Sequence, residues 1–112
     1  MRKDTLLRKT LKLVNEARRE LDMKAMQRLP AGTIKHASAC PLARSLGRWA
    51  TVLEDRVLVP GRAVGPLLRA WRTRAVFDEN FDSPAVMLPG TLRKFVESFD
   101  RGEIPELTGP DE

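Results

Sequence analysis

Leu29-Pro30-Ala31-Gly32-Thr33-Ile34-Lys35-His36-Ala37-Ser38-Ala39-Cys40-Pro41-Leu42-Ala43-Arg44-Ser45-Leu46-Gly47-Arg48-Trp49 runs from a loop into a short helix, and the junction is Cys40-Pro41. Proline has a preset φ and no N–H, so Pro41 suits the first helical position. Cys40 is then the N-cap, and the two residues form a structural cap. The helix extends from Pro41 to about Trp49 or Ala50, with Leu42, Leu46 and Trp49 on one face and Arg44 and Arg48 on another. Pro30 and Gly32 oppose helix, so a basic loop leads into the cap.

Upstream, Asp4 to about Asp22 reads as a helix. Leu7, Leu11, Val14, Ala17 and Leu21 recur at steps of four and three and form one stripe, widened by Leu6 and Leu13. Asp4 is the expected N-cap, and its charge suits the positive helix end. Nothing breaks the segment before Pro30, so the helix could run on to Arg28. In that case Glu20 would pair with Lys24 four residues later.

Downstream, Thr51 to Val59 changes period. Val52, Leu53, Val57, Leu58 and Val59 flank Glu54-Asp55-Arg56, which points to strand and to a tight hairpin around Glu54-Asp55. A third helix covers roughly Arg62 to Val76 with Val64, Leu67, Leu68, Trp71 and Ala75 inward, its regular part beginning at Gly65 or Pro66. Phe77 to Pro84 reads as an acidic loop. Ala85 to Leu88 is a short strand expected to pair with Val57-Leu58-Val59. Pro89 opens the last helix, in which Leu92, Phe95, Val96 and Phe99 make an apolar face, and Gly102 closes it. Ile104 and Leu107 tack down the segment after that helix.

The fold class expected is therefore mainly α with a small β element (α+β): about four helices, with a short hairpin or strands near 51–59 and 85–88. A chain of 112 residues is one domain, expected over 1–107 with a flexible acidic tail over 108–112. Leu, Ile, Val and Phe number 29, enough for a modest core. The longest apolar run is Ala85-Val86-Met87-Leu88, so no membrane span is expected, and the N-terminal residues lack a signal-peptide apolar region. A single cysteine points to a reducing, cytoplasmic setting. Charge is divided unevenly: residues 1–75 carry a net +11 and residues 76–112 a net −6. A basic body suits a polyanion or an acidic protein surface, or is simply a solvated face.

Few residues carry chemistry. A thiol at a helix start with Arg44 one turn on would have its pKa lowered. A nucleophile also needs a base, and His36 is the sole histidine, four residues upstream with no third orienting group. A cysteine that caps the helix and packs under the loop is the simpler reading. A zinc site would need Cys40, His36 and two carboxylates, and neither metal nor cofactor is expected. Leu42 to Leu53 partly fits a helix-turn-helix, but its recognition helix would be the β-branched Thr51 to Val59, with Glu54 and Asp55 set against phosphates. A winged variant with that segment as the wing fits better. Arg8, Lys9, Lys12, Arg44, Arg48, Arg69, Arg72 and Arg74 are the candidate binding residues for a partner or nucleic acid. Trp49 and Trp71 fall on core stripes rather than on a base-stacking surface. The sequence contains no phosphate-binding glycine loop, Gly-x-Ser-x-Gly elbow or His-Glu-x-x-His.

Val14-Asn15-Glu16-Ala17-Arg18-Arg19-Glu20-Leu21, Leu29-Pro30-Ala31-Gly32, Cys40-Pro41-Leu42-Ala43-Arg44-Ser45-Leu46 and Leu88-Pro89, with Phe95-Val96-Glu97-Ser98-Phe99-Asp100-Arg101-Gly102-Glu103-Ile104-Pro105-Glu106-Leu107, resemble small uncharacterised proteins of actinobacterial phages of the mycobacteriophage type. The resemblance implies a phage accessory protein acting in the host bacterial cytoplasm. Together these readings give a non-enzymatic protein that binds a host protein or complex through an acidic surface and modulates it. The alternative is a basic winged-helix-like regulator that binds double-stranded DNA.

Overall fold

A computed structural model describes residues 2–109. The chain forms α1 (Lys3–Glu20), α2 (Pro41–Leu46), β1 (Thr51–Val52), β2 (Arg56–Leu58), α3 (Gly61–Trp71), β3 (Ala75–Asp78), β4 (Ser83–Met87) and α4 (Gly90–Asp100), then a 3-10 turn over Pro105–Leu107. This is the α+β class expected, with four helices and one antiparallel sheet in the order β1-β2-β4-β3. No helix of the described residues is long and apolar enough to cross a membrane.

α1 departs from expectation at both ends. Its N-cap is Arg2, without a side-chain cap; Asp4 lies inside the first turn, where its charge still faces the positive helix end. The helix stops at Glu20 because Asp22 turns left-handed at φ 59°, and the Asp22 and Met23 N–H groups close back on the Arg19 and Arg18 carbonyls. It does not reach Arg28, and Glu20 pairs with Arg69 at 2.8 Å instead of Lys24. The fully buried stripe is Leu6, Thr10, Val14 and Ala17, with Leu7, Leu11, Leu13 and Leu21 half-buried at its flanks. α1 packs against α2, α3 and α4, so its buried arc is wide and its centre is set by the neighbours rather than by the leucines alone.

The hairpin at 51–59 forms as expected: Thr51 faces Leu58, Val52 faces Val57, and the Leu53 N–H closes the turn on the Arg56 carbonyl. β4 pairs with β2 as expected, Val57 opposite Val86 and Leu58 opposite Ala85. The third helix needs two corrections. It starts at Gly61, placing Pro66 inside it; the bond Pro66 cannot make would go to the carbonyl of Arg62, an exposed residue that water reaches. It ends at Trp71 because Arg72 is left-handed at φ 55°. Ala75 and Val76, expected as helix, and Phe77 and Asp78, expected as loop, therefore form β3, which pairs along β4.

Register assigns the two faces of the sheet. Val52, Val57 and Val86 share the face that joins Leu67 and Trp71 in the core. On the other face, Arg56 on β2 reaches Asp78 on the outermost strand β3 at 3.5 Å. Their rows are separated by the Leu58–Ala85–Val76 row, so the Arg56 chain crosses diagonally over Ala85.

α4 buries Leu92, Phe95, Val96 and Phe99, with the Phe95 and Phe99 rings stacked at 6.2 Å. Gly102, at φ 76°, follows the last turn: its N–H bonds to Phe99 and that of Glu103 to Ser98. Ile104 then enters the core. The chain returns to the loop before α2: the Gly32 N–H bonds to the Leu107 carbonyl at 2.8 Å and the Gly109 N–H to the Gly32 carbonyl at 3.1 Å. A Cβ on Gly32 would stand 2.5 Å from the Pro41 ring, so only glycine fits where these three segments meet. Of the expected tail, Thr108 and Gly109 lie against Gly32, and 110–112 fall outside the described residues.

Candidate functional site

Cys40 is the N-cap of α2 and Pro41 its first residue; the Cys40 Sγ accepts the Ala43 N–H at 3.4 Å. α2 ends at Leu46 rather than at Trp49 or Ala50, because Gly47 takes φ 137°. The thiol is buried, and desolvation pushes its pKa up. This reverses the expectation of a lowered value. A helix of six residues contributes little dipole, and the backbone N–H contacts that favour thiolate are outweighed by burial. His36 is exposed, and its Nδ1 lies 3.4 Å from the Ser38 hydroxyl.

Cys40 and His36 border an open cleft of about 640 Å³ between the loop at 35–37, the Leu53-Glu54 turn and α4. Two carboxylates facing the cleft are already engaged: Asp100 accepts the Lys35 N–H at 3.0 Å and Glu97 pairs with Arg101 at 2.8 Å, while Glu54 and Arg93 on the same cleft make no ion pair among the described residues. Among the described residues no three His, Cys, Asp or Glu side chains converge as a metal site.

The basic residues are distributed over several elements. Arg8, Lys9 and Lys12 project from α1 and are exposed. α3 runs antiparallel beside α1: the Trp71 indole N–H donates to the Leu13 carbonyl, and Arg69 meets Glu20 toward the α1 C-terminus. Arg72 and Arg74 are exposed where α3 gives way to β3. Arg44 and Arg48 belong to the α2 region, which Arg18 ties to the opposite flank of α1 through the Ser45 carbonyl. The eight residues therefore do not form one continuous face. Arg69 is neutralised by Glu20, and Arg44 donates to the Ala31 carbonyl at 3.1 Å. Arg8, Lys9, Lys12, Arg48, Arg72 and Arg74 make no ion pair among the described residues.

The segment that a helix-turn-helix would need as its recognition helix is the β1–β2 hairpin. Its Val57, Leu58 and Val59 are buried and β2 lies between β1 and β4, so it does not stand free as a wing would. Its tip is acidic, and the Arg56 side chain bonded to Asp55 holds that carboxyl below the usual carboxylate range. Trp71 packs in the core as its stripe position implied, and Trp49, which lies beyond the end of α2, packs partly against the core.

Sequence reasoning missed a groove of about 270 Å³ on the flank of α1, floored by Leu7, Leu11, Leu29 and Leu107 and rimmed by Arg8 and Arg28. Leu7 and Leu11 carried a signal: lying four residues apart, they share a line one residue off the buried line of Leu6, Thr10 and Val14. Two further side chains hold this region in place. The Asn15 amide exchanges two hydrogen bonds with the Met26 backbone, and Arg18 donates to the Lys24 carbonyl.

No protein-family model matches this sequence, and neither does any curated protein or solved structure.

Proposed function

We propose that this chain is a non-enzymatic accessory protein of an actinobacterial phage that binds a host protein in the host cytoplasm and modulates it. The observation that carries the reading is the leucine-floored groove with a cationic rim. Leu7 and Leu11 supply apolar contact, while the exposed Arg8 and Arg28 on the rim select against a basic partner. The occupant of matching chemistry is an acidic amphipathic segment presenting apolar side chains to the floor and carboxylates to the rim.

The test compares the wild-type chain with Arg8→Glu/Arg28→Glu and with Leu11→Gln as bait in nuclease-treated actinobacterial lysate. The expected result is a protein retained by the wild type and lost from both variants. Retention that both variants keep would overturn the groove as the docking surface. The alternative, a basic regulator of double-stranded DNA, predicts retention that nuclease removes and that salt weakens steeply.

A further inference from the structure

The two edges of the sheet are finished differently. On the β1 side the Val52 N–H is taken by the Ala37 carbonyl of the preceding loop at 2.8 Å, and the strand is only Thr51–Val52. On the β3 side nothing among the described residues pairs with the strand beyond β4. The Arg74 carbonyl accepts the Met87 N–H, so alternate residues Arg74, Val76 and Asp78 turn their backbone groups toward β4. Ala75 and Phe77 therefore turn their N–H and C=O groups outward. Phe77 is 58% exposed and Phe81, in the turn that follows, is 55% exposed; they are the large apolar side chains left in solvent among the described residues. A bare edge strand with an exposed aromatic is a template for another strand.

We infer that β3 is the interface of a symmetric homodimer, in which two copies pair antiparallel through this edge and join their sheets into one. The charge order along the strand selects a second copy as the occupant. The segment reads Arg72-Thr73-Arg74-Ala75-Val76-Phe77-Asp78-Glu79, basic at its start and acidic at its end. An antiparallel copy reverses that order, so each basic end meets the acidic end of the other. One register satisfies both backbone and charge. With Val76 opposite Val76 on the two-fold axis, the outward groups of Ala75 bond those of Phe77 in the second copy, and the reverse. The large Phe77 side chain then faces the small Ala75, and Arg74 twice comes beside Asp78, a buried carboxylate that Arg56 of its own copy already contacts at 3.5 Å. Shifting by two residues in either direction sets Ala75 against Ala75 or Phe77 against Phe77 and loses the Arg74–Asp78 match.

Sedimentation equilibrium on the full chain over a broad concentration range gives the oligomeric state, and a monomer–dimer equilibrium is expected. Phe77→Pro removes one outward N–H per copy and no bond to β4, so it should abolish dimer while far-UV circular dichroism and thermal unfolding of the dilute protein stay as in the wild type. Arg74→Glu should weaken the dimer about tenfold by opposing like charges. Register is read by oxidation of single substitutions to cysteine at the edge, the native Cys40 being buried. Val76→Cys lies about 4.5–5.5 Å from its mate, within disulfide reach, and should cross-link; Ala75→Cys and Phe77→Cys are each displaced from their own mates and should not. A chain that stays monomeric at every concentration, a dimer that survives Phe77→Pro, or equal cross-linking at all three positions would overturn the inference.

Discussion

The two hairpins of the sheet have the same topology and opposite surroundings. In β1–β2, Val52, Val57 and Leu58 are buried and the turn is tied down by Asp55 and Arg56. In the β3–β4 hairpin the inner strand is buried at Ala85 and Val86, whereas β3 exposes Ala75 and Phe77. The contrast shows what a run of β-branched residues records. It marks a strand covered on both faces, and it is silent about a strand that closes an edge. Edge strands carry charges, and prolines are tolerated at ladder ends. Here Arg74 borders β3 and Asp78 ends it, and Pro84 sits at the end of the β2–β4 ladder, so Phe77 to Pro84 reads as loop.

The contrast is sharpest in the core. Val57→Ala, at a position with no exposure, should cost about 2 kcal/mol in urea denaturation. A cost no larger than that of Ala75→Gly on the outer strand would erase the distinction. Next in size is the tie between the hairpins. Asp78 forms an ion pair with Arg56 at 3.5 Å and accepts the Asn80 N–H at 3.0 Å. A double-mutant cycle of Arg56→Met and Asp78→Asn should return a coupling of about 1 kcal/mol, and additivity would mean that the two hairpins are energetically separate. Phe77→Ser should change the stability of the dilute protein by less than about 0.5 kcal/mol, since the ring is mostly in solvent. A larger loss would show that this ring belongs to the core.

The smallest effect is at the Asp55 turn. Its carboxyl is held below the usual value of 3.8 by Arg56, so the folded state favours the ionised form. That contribution is fully present above the unfolded value and is lost as the pH falls through the lower folded one. Hydrogen exchange at the Leu53 N–H, which closes this turn, should quicken over that acid window in the wild type and lose this dependence in Asp55→Asn. The β3–β4 hairpin should show no matching change from that substitution.

Where a feature depended on neighbours in the chain, the sequence was readable. The Cys40-Pro41 helix start, the apolar face of α4 and the glycine after it are local, and the hairpin at 51–59 needed only its own two β-branched runs. Where a feature depended on what packs against it, reading failed. The centre of the α1 stripe moved to Thr10, because α2, α3 and α4 decide which side is covered. The Cys40 pKa moved opposite to expectation, because burial is a tertiary property and a nearby arginine is not. The groove was hidden for the same reason: Leu7 and Leu11 are helical neighbours, but Leu29 and Leu107 reach them only through the folded chain.

The backbone stitch at Gly32 has a consequence for synthesis. The loop that seats Cys40 is held by residues 107–109, so the first half of the chain cannot finish its own structure as it emerges. Until the last helix and the turn behind it have been made, the start of α2 lacks its backing and the thiol stays open to reagents. Nascent chains halted before Pro105 should therefore be labelled at Cys40, and chains released after Gly109 should be protected.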